Sequence, residues 1–226
     1  MRMHDEITAY WDDLRHTLAA MPLPLVSQTA ELLLACHRRG GTIFVLGNGG
    51  SAATASHFAC DLAKGTRADG VAAFRVFPLT DNMPLVTAWA NDVSYERVFA
   101  EQLGALVRPG DVAVLISGSG NSPNVLAAAR TARSAGALTI AWTGATGGKL
   151  ARLAEVVVRV PSPSIEQVED AHLMLAHSVC VALRARLRAL GFDSAARPRR
   201  RAMPRAISEL VATEAAYDDV SAEAAQ

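Results

Sequence analysis

Two short segments, Leu46-Gly47-Asn48-Gly49-Gly50-Ser51 and Ser117-Gly118-Ser119-Gly120-Asn121-Ser122, share one design. Each follows an apolar, β-prone run and opens an alanine-rich helical stretch. Glycine lets the backbone turn sharply and approach a ligand with no Cβ in the way. The helix that follows presents unpaired N–H groups and the positive end of its dipole, where an anion is stabilised. Serine hydroxyls rotate to meet phosphate oxygens. Asn48, Gly49, Ser51, Ser117, Gly118, Ser119 and Ser122 are therefore the candidate contacts of a phosphorylated ligand, and no lysine is needed. Gly47-x-Gly49-x-x-Ala52 also fits the loose dinucleotide fingerprint, but that reading wants an acid at the end of the next strand. The nearest acid, Asp69, precedes that strand. A Walker-type loop is excluded, because no Gly-Lys-Ser/Thr follows either turn.

A second group of residues could move protons or hold a metal. His57 and Asp61 stand four apart on the helix after the first turn, hence on one face. Glu169 and His177 lie a little over two turns apart on a long C-terminal helix. If the two helices meet, two imidazoles and two carboxylates converge. That set suits a divalent cation such as zinc, and it also suits acid–base chemistry on neighbouring carbons. His172, on the same helix, is read as an exposed or core-edge histidine.

The elements that must position these groups alternate. Helices are expected over 5–21 and 25–39, broken by Pro22 and Pro24. Strands follow at 42–46, 73–77, 111–116, 137–142 and 156–160, with helices at 84–90, 95–103, 122–134 and 148–153 between them. A long helix spans about 165–190. Apolar strands alternating with helices predict a doubly wound α/β fold: a five-stranded parallel sheet of flavodoxin-like type, covered on both faces. An N-terminal helical pair is added. Residues 1–191 read as one domain and 192–226 as a partly mobile appendage, in which the basic Arg197–Arg201 run reads as a solvated linker.

Composition bounds the class. Among 226 residues half are apolar, and 22 basic side chains balance 22 acidic ones. There is no global field to draw the chain onto nucleic acid or a membrane, and neither is an expected partner. Cys36, Cys60 and Cys180 have no metal-like spacing and fit a reducing compartment. The N-terminus lacks a signal-peptide pattern, and no apolar run approaches the roughly 20 residues of a membrane span. A cytoplasmic location is the expectation.

Together these motifs resemble the sugar isomerase (SIS) domain family, most closely its phosphoheptose isomerase branch. The resemblance is carried by Gly47–Ala52, His57-Phe58-Ala59, Asn91-Asp92, Ser117–Ser122 with Pro123-Asn124-Val125, Thr143-Gly144 with Gly147–Leu150, and Val160-Pro161, collinear over about 5–190. It implies an aldose–ketose isomerase acting on sedoheptulose 7-phosphate, a homotetramer with active sites between subunits. It also implies Asp61 and His177 as the proton-transfer pair and a zinc site of His57, Asp61, Glu169 and His177. On this reading phosphate lies at Ser117–Ser122, with Asn48 and Ser51 on sugar hydroxyls and Glu169, Asp92 and Thr143 as further contacts. Three residues depart from the branch: Asp61 for glutamate, Glu169 for glutamine and Gly118 for threonine. Some relatives with this fold only bind or regulate; the His57/Asp61/Glu169/His177 set favours an enzyme here.

Overall fold

A computed structural model describes residues 2–193. The predicted helical pair is present as α1 (Met3–Ala19) and α2 (Leu23–Arg38), with Pro24 in the first turn of α2, where its missing N–H costs nothing. Then come β1 (Thr42–Gly47), α3 (Gly50–Cys60) running into a π-helical turn (Asp61–Gly65), and β2 (Arg75–Pro78). Next are α4 (Met83–Asp92), a 3₁₀ turn (Tyr95–Arg97), α5 (Val98–Leu106), β3 (Val112–Ser117) and α6 (Pro123–Ser134). The chain continues through β4 (Leu138–Gly144), a 3₁₀ turn (Leu150–Arg152), β5 (Val156–Val160) and α7 (Ile165–Asp193). Of the C-terminal appendage expected at 192–226, residues 192–193 are the end of α7 and residues 194–226 lie outside the described residues.

All five strands are parallel, in the order β2-β1-β3-β4-β5. β1 and β3 are buried at every position, as strands covered on both faces must be. Alternate side chains feed two cores. Ile43, Val45, Val114, Ile116 and Trp142 pack under α2, α3 and α7 with Phe58, Leu33 and Leu183. Phe44, Leu46, Ala113 and Leu115 pack under α5 and α6 with Phe99, Leu103, Val125 and Ala129.

Three expectations are corrected. β2 is shorter than 73–77 and is not apolar throughout: Arg75 and Phe77 are exposed on this edge strand, which Pro78 ends for want of an N–H. The helix expected at 148–153 is only the Leu150–Arg152 turn, because Gly147 and Gly148 hold left-handed φ values of 73° and 54°. The helix expected at 95–103 divides into the 3₁₀ turn and α5.

In this strand order the connections reverse direction between β1 and β3. A crevice opens there at the strands' carboxyl ends, the place where open α/β sheets bind ligands. Gly47 ends β1 beside Ile116 of β3. Both glycine–serine turns thus flank the switch point.

Candidate functional site

The two turns are built alike but used differently. Gly47 is required: a Cβ there would sit 2.7 Å from Ser51 Cβ and 2.8 Å from the Ile116 carbonyl. Gly49 takes φ 55° and sits open to solvent as the N-cap of α3. Over Gly50 lies the carboxylate of Glu169, whose Oε2 would be 2.4 Å from an added Cβ. An acidic group at a helix N-terminus is favoured by the dipole. The first turn is therefore already faced by an anion of the chain itself.

The second turn stays available. Ser122 is the N-cap of α6 yet makes no side-chain cap hydrogen bond; its hydroxyl lies 3.2 Å from that of Ser117. The loop's outward carbonyls are consumed by the segment after β4. Gly118 O accepts from Gly144 N and Gly120 O from Leu150 N, both at 2.9 Å, while Asn121 Oδ1 accepts from Lys149 N at 3.0 Å. The loop is fixed before any ligand arrives, which lowers the entropic cost of binding. Ser119 is exposed, and its hydroxyl accepts from Asn121 N. Gly118 lies against Ile165 Cδ1, only 2.6 Å from where a Cβ would stand.

The predicted meeting of α3 and α7 occurs, with three of the four side chains. His57 Nε2 lies 3.0 Å from His177 Nε2. Asp61 Oδ2 lies 3.6 Å from His57 Nε2 and 3.8 Å from His177 Nε2. Candidate ligand atoms of these three fall within 4.8 Å of one another. Glu169 is not in that group but stands at Gly50. Despite the shorter aspartate arm, the cluster closes.

Other expected contacts divide. Asn48 forms a reciprocal amide pair with buried Asn124, at 2.8 and 2.9 Å, and accepts from Tyr95 Oη at 3.1 Å. This pair ties the first turn to α6 behind the second. Sequence reading assigned no role to Asn124 or Tyr95; Tyr95 approaches across 47 residues with no local signal. Asn124→Leu should leave Asn48 Nδ2 without its acceptor and cost about 1–3 kcal/mol in stability, with a raised KM for sugar phosphate; denaturant melts and steady-state kinetics check this. Asp92 ends α4, exposed, and accepts from Asn91. Thr143 cannot touch a ligand, because it is wholly buried with its hydroxyl on the Gly144 carbonyl.

His172 corrects another expectation. It is 1% exposed, against Trp142, with Nε2 3.4 Å from the Thr143 carbonyl. Desolvation pushes its pKa down to about 4, partly opposed by that carbonyl. An unfolded histidine binds a proton near pH 6.5, so stability falls as pH drops from about 6.5 to about 4. The full loss is about 3 kcal/mol. Urea melts across that window should show the slope, and His172→Leu should flatten it.

Residues 5–144 match the SIS domain. A phosphoheptose isomerase of Desulfovibrio desulfuricans is 42% identical over 179 residues, 78% of this chain and 85% of the relative. One of Roseiflexus sp. is 41% identical, covering 78% and 88%. The chain belongs to the SIS domain family, in its phosphoheptose isomerase branch. The solved phosphoheptose isomerase of Neisseria gonorrhoeae superposes with a TM-score of 0.76 at 33% identity, over 81% of this chain and all of that one. One from Francisella tularensis gives 0.76 at 29%, over 82% of this chain and all of that one.

Within this SIS domain the cluster is open: the His57 and His177 side chains are 47% and 48% exposed. A groove of about 450 Å³ between the Tyr95–Arg97 turn, α5 and α6 is lined by none of the cluster residues. It carries Glu96, Arg97 and Arg130 but no convergence of imidazoles and carboxylate like that of His57, Asp61 and His177, so the convergent chemistry marks the site and the groove does not.

Proposed function

We propose that this chain interconverts sedoheptulose 7-phosphate and a manno-heptose 7-phosphate, with phosphate on the Ser117–Ser122 turn and the reacting carbons beside His57, Asp61 and His177. The single observation that carries this is the convergence of two imidazoles and a carboxylate from α3 and α7 below fixed glycine–serine turns.

Asp61 removes a proton from C1 of the open-chain ketose, and the C–H electrons form the C1=C2 bond of a cis-enediol. His177 gives a proton to the C2 oxygen and takes one from the C1 oxygen. The proton on Asp61 exchanges with water in this open cluster, and Asp61 then protonates C2, leaving the aldose. Asn48 and Ser51 hold hydroxyls, and Glu169, lying over Gly50, lines the sugar end of the crevice.

Two imidazoles and one carboxylate are a zinc donor set with room for a further ligand. Their separations of 3.0, 3.6 and 3.8 Å bracket the roughly 3.3 Å edge of a tetrahedron with bonds near 2 Å. His57, Asp61 and His177 would hold the ion, which supplies Lewis-acid polarisation of a carbonyl oxygen. Metal analysis should find about one zinc per chain, lost in His57→Ala.

The assembly is a homotetramer with sites between subunits. Supporting this, α4 buries none of its residues within the chain, and Met83, Leu85, Val93 and Tyr95 are exposed there; an apolar patch of that kind marks an interaction surface. A cytoplasmic location is supported by three free cysteines, and among the described residues no single helix is long and apolar enough to cross a membrane. The reading is tested by offering purified protein ketose phosphates of five, six and seven carbons. The heptulose should give the highest turnover to aldose; no aldose from any of them would overturn the proposal.

A further inference from the structure

We infer that Arg184 is a positioning residue: it locks the π-helical turn Asp61–Gly65 and so holds the Asp61 carboxylate toward His57 and His177. The kinetic consequence rests on the isomerase reading above; the placement does not.

Sequence spacing gives the first support. His177 and Arg184 are seven residues apart on α7, two turns, so one face presents both to α3 and its extension. The second is the turn itself. A π-helical turn is a rare, wide segment, found mostly where a side chain must be re-aimed, and it leaves carbonyls to be satisfied. Thr66 Oγ1 meets the Leu62 carbonyl at 2.6 Å. The Gly65 carbonyl accepts from Nε of half-buried Arg184, a bond that crosses 119 residues of sequence. The turn holding the catalytic acid is thereby tied to the helix holding the catalytic histidine.

The third support is the division of the carboxylate. Oδ2 faces the two imidazoles. Oδ1 faces the other way: a Cβ built on Gly65 would stand 3.6 Å from Asp61 Oδ1 and 3.4 Å from Arg184 Nη2. The guanidinium spends Nε on the Gly65 carbonyl, so its hold on the acid runs through the turn rather than through an ion pair. Cys180, buried one turn before Arg184, records the same neighbourhood. Its thiol is pushed up to about 12 by desolvation first, with Asp61 raising it and Arg184 lowering it. Both charges therefore flank one buried sulfur.

The test compares Arg184→Met and Arg184→Lys with wild type in the full chain, by steady-state kinetics and amide hydrogen exchange. Arg184→Met should lower kcat by about 10- to 100-fold, the scale of a misplacement of about 1 Å, with KM for sedoheptulose 7-phosphate within about twofold because the phosphate turns are untouched. Arg184→Lys, which keeps one donor for Gly65, should recover at least about a third of wild-type kcat. In Arg184→Met the amides of Asp61–Thr66 should exchange at least about tenfold faster while those of Ser51–Phe58 keep their protection. Unchanged kcat in Arg184→Met, or a lysine variant no better than methionine, overturns the inference. If wild type itself does not isomerise the sugar, the isomerase reading fails instead, and the exchange comparison alone decides the placement.

Discussion

Asp61→Asn is expected to lower kcat by about 10³-fold, within the range that a positioned general acid–base contributes. The amide has nearly the shape of the carboxylate but cannot take a proton from carbon, so sugar-phosphate affinity should change little. The geometry gives the size of this effect. Among the described residues Asp61 is the one carboxylate placed with both imidazoles, at 3.6 and 3.8 Å, while Glu169 lies over Gly50, so no acid in that cluster stands ready to replace it. Steady-state kinetics and calorimetric titration with sedoheptulose 7-phosphate separate the two quantities. Wild-type turnover in Asp61→Asn would remove this residue from proton transfer.

The other large effect is expected at Gly120. Its φ of 62° is left-handed, and an added Cβ would stand 2.1 Å from the Gly147 carbonyl oxygen and 2.6 Å from its carbon. That neighbour is backbone, itself held by a hydrogen bond from Gly147 N to Gly144 O, so the serine loop must move rather than its partner. Gly120→Val adds about 1–2 kcal/mol of backbone strain and displaces hydroxyls and amides by about 1 Å or more. KM for sugar phosphate should rise by about 100-fold, while zinc uptake by the cluster on α3 and α7 stays at wild-type level. Titration with the sugar phosphate and metal analysis of the same preparation check both halves. A variant that binds sugar phosphate like wild type would show that this loop is not the phosphate site.

The sheet was legible because β1, β3 and β4 are apolar runs bounded by glycine turns, and the turns carry their own phosphate-binding signature. The meeting of His57 with His177 was legible only as a possibility, since helical spacing states which residues share a face and not which faces meet. What sequence left out follows from that limit. Spacing on α7 puts Glu169 among the expected metal ligands; its carboxylate lies over Gly50 at the α3 N-terminus, a placement that no spacing within α7 foretells. Asn124, Tyr95 and Arg184 act through contacts across 47 to 119 residues, for which no local pattern exists. No α-helix forms over 148–153 because Gly148 packs closely against Ser119 and Gly120, a demand set by another loop. His172 was read as peripheral because histidine is seldom buried without a partner for each nitrogen; here Nδ1 has none among the described residues.

Proton transfer at the sugar carbons by the α3–α7 cluster, with phosphate held at the second glycine–serine turn, is checked by a nuclear magnetic resonance time course of sedoheptulose 7-phosphate in deuterated water. Wild type should produce the aldose heptose 7-phosphate with solvent deuterium entering at C2, and Asp61→Asn should produce neither product nor label. Ketose that stays unconverted and unlabelled with wild type, with zinc supplied, would contradict the account.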